Sequence, residues 1–124
     1  MSDYDRILVV EDDPDGQAVV AHILRSLQIP VDVAGDAEEA SEFIFESSLK
    51  YRAFIIDLAL PGKDGWDLLS EILDDPDTAS IPCIAVTAFH TSKTHEQALR
   101  AGFTAYFSKP LEATSFAREI TTLL

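Results

Sequence analysis

The sequence predicts an α/β protein: a doubly wound, five-stranded parallel sheet of order 2-1-3-4-5, with helices on both faces. Two observations carry this. Five short apolar runs alternate with five stretches whose apolar residues recur at helical spacing. Polar residues then follow runs one, three, four and five, while run two ends in Ala34-Gly35. In that order the second strand lies at an edge, away from the crevice at the switch point between strands 1 and 3. Right-handed crossovers leave few competing topologies.

Ile7-Leu8-Val9-Val10 is a buried strand, and Glu11-Asp12-Asp13 follows at once. Asp13 caps the first helix with Pro14 at its first position, and Val20, Ile23, Leu24 and Leu27 share one face. Pro30 stops that segment, and Val31-Asp32-Val33 is the second strand. Asp36 caps a helix over about 37 to 48, with Ala37, Ala40, Phe43, Ile44 and Ser47 on one face and Phe45 pointing away. Ala53-Phe54-Ile55-Ile56 is the third strand, ending at Asp57. Asp64 caps a helix to about Leu73, with Leu68, Leu69, Ile72 and Leu73 inward.

The fourth strand is Ile81 to Val86, with Pro82 near its start and Thr87 at its end. A helix over about 92 to 101 stops at Gly102. Only Ala98, Leu99 and Ala101 are apolar there, so it is the weakest amphipathic helix and is expected to move easily. Thr104 to Phe107 is the fifth strand, followed by Ser108-Lys109-Pro110. The last helix starts near Glu112 and turns Ala113, Phe116, Ile120 and Leu123 inward.

At 124 residues the chain is expected to be one domain, residues 1–124, with no output domain. A formal net charge of −13 argues against nucleic acid or anionic lipid as a partner and suits a divalent cation and basic protein surfaces. No apolar run approaches membrane-spanning length. The lone Cys83 leaves no disulfide framework and reads as a small core residue. With the acidic start Met1-Ser2-Asp3-Tyr4-Asp5, this fits a cytoplasmic location.

The polar residues at the strand ends carry the chemistry. Glu11 and Asp12 follow strand 1, Asp57 strand 3, Thr87 strand 4 and Lys109 strand 5. Crowded carboxylates repel one another unless a cation meets them. Oxygen donors without His or Cys suit Mg²⁺ rather than Zn²⁺. The expected direct ligands are Asp12, Asp57 and the backbone carbonyl of Ala59, with Glu11 acting through water. A carboxylate beside such an ion is also a candidate nucleophile for phosphoryl transfer, with Lys109 and Thr87 meeting the phosphoryl oxygens. Taken singly, each residue has a plainer reading: Glu11 and Asp12 as helix-dipole partners, Thr87 as a strand end, Lys109 as a solvated charge. His22, His90 and His95 lack ligand spacing and receive no role, and Trp66 and Phe45 read as rim packing.

Together, Val9-Val10-Glu11-Asp12-Asp13, Asp57 with Leu60-Pro61-Gly62-Lys63-Asp64-Gly65, Val86-Thr87-Ala88, and Tyr106-Phe107-Ser108-Lys109-Pro110 resemble the receiver domain of two-component response regulators. The resemblance covers essentially the whole chain and is nearest the single-domain, CheY/DivK-like type. It implies a flavodoxin-like (βα)5 fold. It implies that Asp57 accepts a phosphoryl group from a histidine kinase or histidine phosphotransfer protein, with Glu11 and Asp12 as the acidic pair of the Mg²⁺ site. Thr87 and Tyr106 match the switch pair, which reshapes the face of helix 4, strand 5 and helix 5 for a downstream effector protein. The Lys109-Pro110 peptide is expected to be cis. Ala59 and Phe89 stand where many relatives carry polar side chains, which implies slow autodephosphorylation. Such a protein is no enzyme towards an external substrate and catalyses only its own phosphorylation and dephosphorylation. Two rival readings are a degenerate receiver acting only as an interaction module and a small aspartyl-phosphate phosphatase or phosphotransferase. The second needs a lid, and no insertion is long enough to form one.

Overall fold

The structure, a computed structural model, describes residues 6–47 and 50–124. The acidic start of the chain and residue 48, where the second helix was expected to end, lie outside them. Five parallel strands form one sheet of order β2-β1-β3-β4-β5. They are β1 (Arg6–Val10), β2 (Val31–Ala34), β3 (Tyr51–Asp57), β4 (Cys83–Thr87) and β5 (Ala105–Ser108). The helices between and after them are α1 (Pro14–Ser26), α2 (Ala37–Ser41), α3 (Gly65–Asp74), α4 (Ser92–Ala101) and α5 (Ala113–Leu123). This is the predicted flavodoxin-like architecture.

Strand residues alternate between two cores, as a two-residue period requires. Leu8, Val10, Phe54, Ile56, Cys83 and Ala85 pack with residues of α2, α3 and α4 on one face. Ile7, Val9, Ala53, Ile55, Ile84 and Val86 pack with Val20, Ile23 and Leu24 of α1 and Phe116 and Ile120 of α5 on the other. Cys83 is buried, and burial pushes its thiol up to about 12, so it is an inert core residue. Among the described residues no helix is long and apolar enough to cross a membrane.

Several boundaries and facings differ from the sequence reading. The second helix changes after Ser41 to a π-helical turn, Glu42–Glu46. Ile44 is buried on that turn, Phe43 is half-buried, and Ser47 is exposed rather than inward. Pro82 has no N–H to give the ladder, so β4 begins only at Cys83, although the Pro82 carbonyl accepts from Phe54 N at 3.0 Å. Leu73 is exposed, because Ile72 takes the core position and the next residue is turned about 100° away. It lies instead over the end of α4, where a Cβ on Gly102 would come within 2.8 Å of it. Ala113 is exposed in the first turn of α5, outside the Phe116–Ile120 stripe. Leu123, at the other end of that stripe, is half-buried. The structure also buries Tyr51 and Phe103, which the sequence reading left outside the core. Trp66 packs edge-on to Phe103 at 5.8 Å, as rim packing requires.

Candidate functional site

The strand register delivers the carboxylates to one place. Val10 pairs with Ile56, so Glu11 and Asp57 each stand one residue beyond a matched pair of neighbouring strands. Asp57 pairs with Val86 on the other side, which sets Thr87 one step further. Asp13 then turns the chain into α1 by accepting from Asp15 N and Gly16 N, and so fixes the Glu11-Asp12 segment against the sheet. Gln17 adds a second tie, donating from Nε2 to the Glu11 carbonyl at 2.7 Å.

Three of the predicted residues are buried: Glu11, Asp57 and Thr87. Asp12 is exposed. Oxygens of Glu11, Asp12 and Asp57 all lie within 4.8 Å of one another. Lys109 reaches into this cluster from the end of β5. Its Nζ donates to Asp57 Oδ2 at 2.9 Å and to Glu11 Oε1. The remaining Asp57 oxygen, Oδ1, accepts from Ala59 N at 2.9 Å. One carboxylate thus spans a cation and a backbone donor at the head of the β3–α3 loop.

The electrostatics follow from burial and crowding. Burial and the neighbouring Asp57 push the Glu11 carboxyl up to about 7, against the pull of Lys109. Burial works to discharge Lys109, but its bonds to Glu11 and Asp57 outweigh this and hold the ammonium raised. The cluster carries more negative than positive charge, and its donor atoms are all oxygens. That donor set fits Mg²⁺ or another hard divalent cation, with Asp12 on the solvent side as the entry.

Two glycines make the packing possible. A Cβ on Gly16 would stand 2.4 Å from Glu11 Oε1, and one on Gly65 would stand 2.6 Å from the Asp57 carbonyl oxygen. The sequence does not single out either for this, because the close approach depends on how each strand-to-helix turn folds back on the strand end.

Thr87 Oγ1 accepts from Phe89 N at 3.0 Å, leaving the hydroxyl proton free to be donated. Phe89 itself is 73% exposed, so it covers little of the site in this conformation and does not shield it. Lys109 N donates to the Thr87 carbonyl at 2.9 Å, and the Lys109-Pro110 peptide is cis, as expected.

Tyr106 is half-buried at the α4 side of the sheet. Two histidines that the sequence left without a role meet it. Tyr106 Oη lies 2.9 Å from His90 Nδ1, and its ring stacks on His95 at a centroid distance of 4.6 Å and 7°. Spacing along the chain could not reveal this contact, since it depends on how α4 lies beside β5.

The chain is similar to known proteins over most of its length. Residues 7–121 match the response regulator receiver domain model. An uncharacterized 14.6 kDa protein of Leptolyngbya boryana is 34% identical over 90% of this chain and 84% of its own length. The regulatory protein VanRB of Enterococcus faecalis is 31% identical over 96% of the chain, which spans about half, 52%, of that regulator. Among solved structures, the receiver domain of the Pseudomonas aeruginosa sensor histidine kinase PA1611 is 31% identical, with a TM-score of 0.85 and 97% of each chain covered. It carries a magnesium ion in its active-site cleft. The chain described here belongs to the response regulator receiver domain family of two-component systems.

Proposed function

We propose that this receiver is a phosphorylation switch in which Asp57 accepts a phosphoryl group from a phosphohistidine of a histidine kinase or phosphotransfer protein. The observation that carries the reading is the buried Asp57 carboxylate bound by Lys109 among two further carboxylates at the strand ends. An Asp57 oxygen attacks phosphorus, the P–N bond to the donor imidazole breaks, and the imidazole leaves with the electron pair. The product is an acyl phosphate on Asp57.

Lys109 neutralises charge on the phosphoryl oxygens, and Thr87 donates its free hydroxyl proton to one of them. Asp12, Asp57 and the Ala59 carbonyl would hold Mg²⁺, with Glu11 acting through water. When bound, the ion supplies charge neutralisation for the transferred group. Movement of Thr87 towards the phosphoryl group lets Tyr106 turn inward and alters the α4–β5–α5 face, where an effector protein binds. Ala59 offers the attacking water no polar handle, so the acyl phosphate is long-lived.

The test is incubation with acetyl phosphate and Mg²⁺, followed by mass measurement of wild type and Asp57→Ala. One phosphoryl adduct on wild type and none on the variant is the expected result. No adduct on wild type would favour a receiver used only as an interaction module. An adduct that persists in Asp57→Ala would move the acceptor elsewhere. Turnover of small phosphate esters without a stable adduct would favour an enzyme.

A further inference from the structure

Tyr106 is held from two directions by residues that play no part in the phosphoacceptor site. His90, in the segment between β4 and α4, meets its hydroxyl at 2.9 Å. His95, on α4, lies flat against its ring, 4.6 Å between centroids. The two imidazoles also lie close to each other, at 6.3 Å. Both histidines are exposed, and α4 itself buries only Ala98. The aromatic group is therefore a principal tie between the start of α4 and β5.

We propose that His90 and His95 clamp Tyr106 in its outward position and so oppose phosphorylation at Asp57. The inference rests on reading Thr87 and Tyr106 as the switch pair. Turning Tyr106 inward removes its ring from His95 and its hydroxyl from His90. Both contacts exist only in the outward state, so both count against the phosphorylated one. A phosphoryl group must then supply, in its own differential contacts, what the clamp withholds. His90 and His95 are positioning residues: they act on Asp57 through Tyr106.

The experiment measures two quantities: the affinity for beryllofluoride with Mg²⁺, and the Tyr106 χ1 populations by NMR without beryllofluoride. His95→Ala is expected to tighten beryllofluoride about threefold to tenfold, the scale of one aromatic contact, and to spread the χ1 populations. His95→Phe keeps the stacking and stays near wild type. His90→Ala tightens by about threefold, and by less in a Tyr106→Phe background, where the hydroxyl is gone and only the ring contact at 5.5 Å remains. A merely structural role would weaken beryllofluoride or leave it unchanged. Unchanged affinity in His95→Ala, with or without freer Tyr106, overturns the proposal. If wild type fails to bind beryllofluoride, or Asp57→Ala binds it equally well, the switch reading fails instead. The χ1 populations then decide alone whether the histidines hold Tyr106.

Discussion

Glu11 is 3% exposed and contacts Lys109, yet its carboxylate fits only because residue 16 has no side chain. Gly16 sits within α1, where glycine is normally a cost of about 0.5–1 kcal/mol relative to alanine. The helix gives up that stability and gains room for a charged side chain. Gly16→Ala therefore separates two effects. Its Cβ would strike Glu11 Oε1 at 2.4 Å, and the flexible side chain must swing away from Lys109. Helix propensity rises at the same time. The expected outcome is Mg²⁺ affinity lowered about 10-fold to 100-fold, the scale of a lost outer partner of a metal ligand, and folding stability lowered by the broken Glu11–Lys109 pair, offset in part by about 0.5–1 kcal/mol of helix propensity. Mg²⁺ titration followed by NMR and urea unfolding of the same variant check both. Affinity equal to wild type would mean that Glu11 takes no part in holding the ion.

Among the elements, α4 and α5 differ most in how they are held. Phe116 and Ile120 anchor α5 in the core, whereas α4 contributes Ala98 and leaves Leu99 47% exposed. Phe116→Ala is expected to cost about 3–5 kcal/mol in urea unfolding, and Leu99→Ala to stay within about 0.5 kcal/mol. Amide exchange should run faster through α4 than through α5 under native conditions; equal protection would remove the idea of a loosely held α4. These contrasts were legible in the sequence, because apolar spacing and the Asp13, Asp36 and Asp64 caps are local signals, and all three caps accept their helix amides. The ends of strands 1, 3 and 4 were legible for the same reason, while strand 5 ends one residue later than expected, at Ser108, and the register then brought Glu11, Asp12, Asp57 and Lys109 together. What was not legible depends on neighbours far apart in the chain. Leu73 turns towards Gly102, and Tyr106 finds His90 and His95, only once α3, α4 and β5 are side by side.

Charged clusters among the described residues stand at both ends of the sheet. At the carboxyl end of the strands, three carboxylates gather around the Lys109 ammonium among the described residues. Towards the other end, Asp32 on β2 accepts from Arg6 Nε at 2.9 Å and from Tyr51 Oη at 2.7 Å, which ties β1, β2 and β3 together. The Arg6 guanidinium holds the Asp32 carboxyl below its usual value of 3.8, with help from Tyr51 and against the effect of burial. Its folded pKa is therefore depressed, so the stability it contributes is complete above 3.8 and is lost as pH falls through the folded value. Asp32→Asn should cost up to about 1.5–3 kcal/mol at pH 7, the range for hydrogen bonds to a charged group. That gap from wild type should stay constant down to about pH 4 and narrow below it, as wild type loses the same interaction by protonation. Urea unfolding of both proteins at pH 7, 5, 4, 3 and 2.5 makes the comparison. Wild type carries a formal net charge of −13 and the variant one carboxylate fewer, so relief of carboxylate repulsion cancels in the difference except for the share of Asp32 itself. A gap that is constant across the whole range would show that the Arg6–Asp32–Tyr51 tie does not depend on the charge of Asp32.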